Sequence, residues 1–205
     1  MIKYNGKHMS EQKQNAGIYH TVIRILKPIA WLLFRPRFEG KENIPASGPV
    51  ILASNHCHLS DPAFVVTATP RIVRYLAKRE LTDSVLGPIY RAMHVIPVDR
   101  KGNAHESLVQ AEEVLKNGDV IGIFPEGTRN RTVPGGLLPF KYGAVRMARD
   151  TKAQIVPIAL VSKGIPLFSD YRIRIGEPYM VGEDADLNEE NKKLRDRIQE
   201  LIDRD

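Results

Sequence analysis

The sequence predicts an α/β fold: a largely parallel or mixed central sheet flanked by helices, with an amphipathic helix ahead of it. Three observations carry this. Residues 49–54, 120–124 and 155–161 are continuous apolar runs, as in strands buried on both faces. Helix-patterned segments separate these runs, and strands alternating with helices build such sheets. The chain has 205 residues, with 42% hydrophobic and 26% charged content. That suits one globular domain and excludes wholesale disorder.

Residues 1–17 read as a polar, flexible tail with no apolar core of a signal peptide. Residues 18–35 form the first element. Ile18, Val22, Ile25, Ile29 and Leu33 share one helical face, while His20, Arg24, Lys27 and Trp31 share another. An apolar stripe beside cations and a tryptophan suits a helix lying in a membrane interface. The competing reading packs the same helix on its own domain. Pro28 is expected to kink or divide it. No uninterrupted run of ~18 apolar residues marks a transmembrane span.

Residues 36–205 form the domain proper. After the first buried strand, a helix is expected near Asp61, with Asp61 as N-cap and Pro62 at the first helical position. Residues 72–77 read as a strand, 80–92 as a helix and 95–98 as a short strand. A helix follows over 104–117, with Asn103 and Glu106 spaced as a capping box and Gly118 as its stop. Beyond the second buried strand, 139–150 reads as a helix. The alternation at 171–175 reads as an edge or half-exposed strand. Residues 188–203 form a charged helix whose stripe is Leu194, Ile198, Leu201 and Ile202.

The net charge of +6 favours anionic partners: lipid headgroups, nucleic acid, phosphates or acidic carrier proteins. Cys57 is the one cysteine, so no intramolecular disulfide forms, which fits a reducing compartment.

Two clusters carry candidate chemistry. The first, residues 54–62, follows the first buried strand, at the edge where open α/β sheets bind ligands. His56 is a candidate general base there, because an alcohol becomes a good nucleophile only as its proton is removed. Asp61 is near enough across a turn to orient the ring and stabilise the imidazolium. Other readings compete: Asp61 as a cap only, a metal site of His56, His58 and Asp61, or Cys57 as nucleophile. Against metal stand the tight clustering and the lack of a C-x-x-C or H-E-x-x-H pattern. Against Cys57 stands the opposed direction of adjacent side chains in an extended segment.

The second cluster, Phe124 to Arg131, follows the second buried strand. Parallel strands would bring it to the same edge as His56. Gly127 permits a tight turn, and Arg129 and Arg131 offer bidentate donors suited to phosphate. Glu126 is expected to hold an arginine or contact an acceptor hydroxyl. Lys78, Arg79, Arg100 and Lys141 stand near element ends and add positive field. A solvated turn with incidental charges is the alternative.

Together the two clusters resemble the glycerolipid acyltransferase family, which includes the bacterial 1-acyl-glycerol-3-phosphate acyltransferases. The N-H-x-x-x-x-D block matches Asn55, His56 and Asp61, and the F-P-E-G-T-R block matches Phe124 to Arg129, with Arg131 as the usual ending. Ile96 to Arg100, Val156 to Ile158, and Lys78 to Leu81 match intervening segments. The resemblance covers residues 38–180. It implies direct acyl transfer with no covalent acyl-enzyme, His56 as base and Asp61 orienting it. It also implies a phosphate site of Arg129 with Arg100, Arg131 and Lys78, in an acceptor pocket shaped by Glu126, Gly127 and Thr128. The implied acceptor is lysophosphatidic acid, with another lysolipid or polar lipid alcohol as runner-up. The implied donor is acyl-CoA or acyl-carrier protein, with no cofactor and no metal. The expected partner is the phospholipid surface at the cytoplasmic face of the cell membrane, and no nucleic acid. Two departures stand out: many members have serine at the position of His58 and glycine at that of His94. A non-enzymatic anionic-lipid binder and a metal-dependent hydrolase are the competing whole-protein readings.

Overall fold

A computed structural model describes residues 6–85, 87–99, 104–133, 135–162 and 171–204. Fourteen elements are used below. They are α1 (Gly6–Phe34), β1 (Arg37–Glu39), β2 (Val50–Ser54), α2 (Asp61–Thr67), β3 (Val73–Lys78), α3 (Arg79–Thr82), α4 (Gly87–Ala92), β4 (Ile96–Val98), α5 (Ala104–Lys116), β5 (Val120–Ile123), α6 (Gly143–Thr151), β6 (Gln154–Ser162), β7 (Tyr171–Ile175) and α7 (Leu187–Asp203).

The strands form one seven-stranded sheet in the order β1-β7-β6-β2-β5-β3-β4. β2 pairs parallel with both β5 and β6, and β3 pairs parallel with β5 and β4. β7 runs antiparallel to β6 and parallel to β1. The sheet is therefore mixed, as expected. All five residues of β2 are buried, which explains its unbroken apolar run. Its pleat divides the core. Ile51 and Ala53 pack with Leu115, Val145 and Ile198 on one face, while Val50 and Leu52 pack with Phe64, Val65 and Val156 on the other. Each of the larger of these side chains contributes about 1.5–3 kcal/mol by leaving water.

Several sequence expectations are corrected. α1 begins at Gly6, well ahead of Ile18, because residues 7–14 contain helix formers and no proline. It runs as one helix through Pro28, so the proline does not divide it. The helix expected over 80–92 is two short helices, α3 and α4, separated at residues 83–85. α6 starts at Gly143 rather than 139, since residues 137–141 form a loop. β7 is not an edge strand: β1, too short to announce itself, covers its outer side. The Asn103 cap lies outside the described residues.

The stripe expected to define α1 faces outward. Ile18, Ile25 and Ile29 are exposed, as are Trp31 and Leu32. Separately from that stripe, the helix docks on its domain through buried Tyr19 and through Ile23 and Phe34, packing on α2 and α4. The backbone N–H of Val73 donates to the Tyr19 hydroxyl at 3.2 Å, fastening α1 to β3. Residues 17–34 have a mean hydropathy of 1.2 and are long and apolar enough, by length and composition alone, to cross a membrane. Reading the chain for an uninterrupted apolar run missed this, because Arg24 and Lys27 break the run.

Candidate active site

Three parallel strands and one reversed strand bring the site together. β2 and β5 run in register, with Ala53 opposite Ile123, so the loops after them leave the same sheet edge. β6 ends there too. Because β7 runs back along β6, its first residue, Tyr171, sits opposite Ser162 at that edge. Asn55 extends the pairing one step beyond β2. Its amide donates to the Leu160 carbonyl at 2.9 Å and its carbonyl accepts from the Leu160 N–H at 2.7 Å. A buried side chain thus replaces a rung of backbone and launches the loop that carries His56.

His56 Nδ1 lies 2.8 Å from Asp61 Oδ2, as the sequence spacing anticipated. The same oxygen accepts the N–H groups of Cys57 at 2.7 Å and His58 at 2.9 Å. Two backbone donors already point at Oδ2, so Nδ1 is the donor in the histidine contact. The neutral ring then carries its lone pair on Nε2, as a general base requires. The expected cap is corrected here. Ser60 is the N-cap and Asp61 the first helical residue, with its carboxylate turned back into the loop. Asp61 is fully buried and the His56 side chain is 16% exposed, so the ring reaches the surface while its partner does not. Phe124 stacks on the imidazole with ring centres 4.0 Å apart, and Tyr75 stacks on Phe124 at 5.2 Å. The absence of a side chain at Gly122 permits this: a Cβ there would lie 2.4 Å from the Tyr75 ring.

Glu126 makes backbone contacts that the sequence did not announce. Its two carboxylate oxygens accept the backbone N–H groups of His56 and Leu138, each at 2.9 Å. It is 4% exposed. Burial raises its pKa, opposed by those two N–H donors. Glu126 therefore clamps the loops after β2 and β5 together. The Asn130 N–H adds a second tie by donating to the His56 carbonyl at 2.6 Å. Asn130, which the sequence reading did not single out, also accepts from Thr132 and Val133 and donates to the carbonyls of Val133 and Gly136. It shapes the loop that presents the arginines.

Gly127 has φ +68, and a Cβ there would press on the Lys141 side chain at 2.9 Å. Thr128 and Arg131 are exposed and Arg129 is half-buried. Lys78 is exposed at the end of β3, beside β5 on the same edge. Arg100 lies outside the described residues.

Cys57 is half-buried. Burial, and then the charges of Asp61 and Glu126, push its thiol from about 9 to about 11, against a hydrogen bond from Asn55. A thiol held protonated is a poor nucleophile. No group of three or more His, Cys, Asp or Glu is placed to hold a metal among the described residues. Both Asp61 oxygens face N–H and O–H donors. Tyr171, absent from the sequence reading, is the O–H donor: its hydroxyl donates to Asp61 Oδ1. His94, where the family resemblance expects glycine, has φ +53, a left-handed conformation in which glycine carries no side-chain penalty.

Comparison with known proteins places these features in context. The Acyltransferase family profile matches residues 35–161. The chain is 32% identical over 196 residues to a 1-acyl-sn-glycerol-3-phosphate acyltransferase of Bacillus subtilis, covering 90% of this chain and 96% of that one. It is 40% identical over 126 residues to a protein of the same name from Borreliella burgdorferi, covering 59% of this chain and 49% of the relative. The crystal structure of the 1-acyl-sn-glycerophosphate (LPA) acyltransferase, PlsC, from Thermotoga maritima shares the fold. The TM-score is 0.69 at 24% identity, over 93% of this chain and 77% of that one.

Proposed function

The chain belongs to the Acyltransferase family and is an acyltransferase, and from that premise we propose that it is a 1-acyl-sn-glycerol-3-phosphate O-acyltransferase. It would transfer a fatty acyl group to the free hydroxyl of lysophosphatidic acid and make phosphatidic acid, a step of phospholipid biosynthesis. The observation that carries this is the His56–Asp61 pair, with Nε2 left as the basic nitrogen, on the sheet edge that also bears Arg129 and Lys78. The names of the Bacillus and Borreliella relatives support the acceptor.

In this reading His56 Nε2 takes the proton from the acceptor hydroxyl as its oxygen attacks the thioester carbonyl. The new C–O bond forms, the C–S bond breaks, and the imidazolium returns the proton to the departing thiolate. Asp61 holds the ring in one tautomer and balances its charge. Arg129, with Arg131, Lys78 and Arg100, binds the acceptor phosphate. Gly127 and Thr128 shape that pocket, and Glu126 supports it from behind through the backbone. The donor is acyl-CoA or acyl-carrier protein, each anionic, and no cofactor is needed. A different lysolipid acceptor is the second reading. It is motivated by His58, which stands in the base loop where many members of the family have serine.

Acceptor and product are both lipids, so the site belongs against a bilayer. The exposed apolar residues of α1 and the groove between Lys27, Trp31, Leu32, Arg35 and Arg37 support contact with an anionic membrane surface. The tie from Val73 to Tyr19 favours a helix lying on the membrane with the domain, rather than one crossing it. The cytoplasmic face is where an acyl-CoA or carrier-protein donor would be met.

The test supplies lysophosphatidic acid with palmitoyl-CoA or palmitoyl-carrier protein in mixed micelles and measures phosphatidic acid by mass spectrometry. Product with either donor is expected and would identify it. Product only from another lysolipid would move the acceptor. No product from any lysolipid would contradict the reading.

A further inference from the structure

We infer that Tyr171 is a positioning residue of the reaction, acting through Asp61 on His56; this rests on the proposed role of that pair. Asp61 Oδ2 accepts three donors, from His56, Cys57 and His58, and all three lie within five residues of it. They form one local loop and would move together. The remaining oxygen, Oδ1, accepts the Tyr171 hydroxyl from 110 residues away. Among the described residues this is the one side-chain hydrogen bond fastening Asp61 to the sheet.

Tyr171 itself is held firmly. It is 1% exposed. Its backbone pairs with Ser162 across the β6–β7 ladder. Its ring lies 4.3 Å from that of Phe64 in α2, the helix that Asp61 begins. Burial and the Asp61 charge raise its pKa far above the ordinary phenol range, so it remains a donor. The phenol therefore transmits the position of the sheet to the carboxylate, and the carboxylate sets the imidazole. It also donates into the charge on Asp61 when His56 becomes positive. Tyr171 touches no reacting atom in this scheme.

The experiment compares wild type with Tyr171→Phe in the full chain, which deletes the hydroxyl and keeps the ring. Turnover is read per folded molecule, with near-ultraviolet circular dichroism at the assay temperature giving the folded fraction. The acceptor is whichever lysolipid the wild type turns over, so a wrong acceptor assignment stays distinguishable from a wrong role for Tyr171. A kcat lower by about ten- to a hundredfold is expected, with KM for the acceptor within about twofold. In an Asp61→Asn background the same change is expected to cost less than threefold, since both variants break one chain of contacts. An unchanged kcat, an effect confined to KM, or equal losses in both backgrounds would overturn the inference. So would a variant with no folded fraction, which would make Tyr171 a residue of stability alone.

Discussion

Asp61 and Cys57 are separated by a single hydrogen bond, yet their environments drive them to opposite uses. The carboxylate is fed by four donors and can hold a histidine in place. The thiol is pushed up to about 11 by burial and then by the charges of Asp61 and Glu126. Between about 9 and about 11 the unfolded chain ionises Cys57 while the folded chain does not. This group therefore favours unfolding progressively as pH rises through that window. At pH 8 the folded thiolate is about one part in a thousand. Alkylation by iodoacetamide at pH 8 should accordingly be slow in native protein and fast in urea. Rapid native labelling would show a nucleophilic thiol and revive Cys57 as a candidate. Position 94 offers a second check. A left-handed residue with a Cβ carries about 1–2 kcal/mol of strain, so His94→Ala should unfold at lower urea than His94→Gly, by about 1 kcal/mol. Equal midpoints, or the reverse order, would contradict that reading of the departure from glycine.

α1 carries two apolar sets, of which the periodicity drew attention to one. The apolar residues at 18, 25 and 29 do lie outward together, but the helix docks on its domain through Tyr19, Ile23 and Phe34. Periodicity reports which residues are apolar, not which of two apolar faces meets the core. The outward set is the membrane-facing one in the proposed function. Substituting Ile25, Trp31 and Leu32 together by aspartate should then cut co-sedimentation with anionic vesicles by at least tenfold, since each buried apolar side chain contributes about 1.5–3 kcal/mol. The melting temperature should be unchanged, because these side chains are exposed. Undiminished sedimentation would place the membrane contact elsewhere.

For the molecule as a whole, the site exists because four strand ends meet at one edge. Half of that convergence was legible. The apolar runs of β2 and β5 marked buried parallel strands, and parallel strands must release their loops on one side, so the loops that carry His56 and Arg129 were expected at one edge, where they lie. The local spacing from His56 to Asp61 was equally readable. The other half left no trace in the pattern. Tyr171 is one tyrosine at a strand start, and its contact depends on β7 reversing against β6. The clamp made by Glu126 was not readable, because its partners are backbone N–H groups, which no residue type announces. Arg100, expected in the phosphate site, lies outside the described residues. The most direct test of the central claim compares wild type with His56→Ala, using lysophosphatidic acid and the donor that wild type accepts. The account predicts phosphatidic acid from wild type and a loss of about 10²- to 10⁴-fold in the variant, with unchanged circular dichroism. Near wild-type turnover by folded His56→Ala would contradict it.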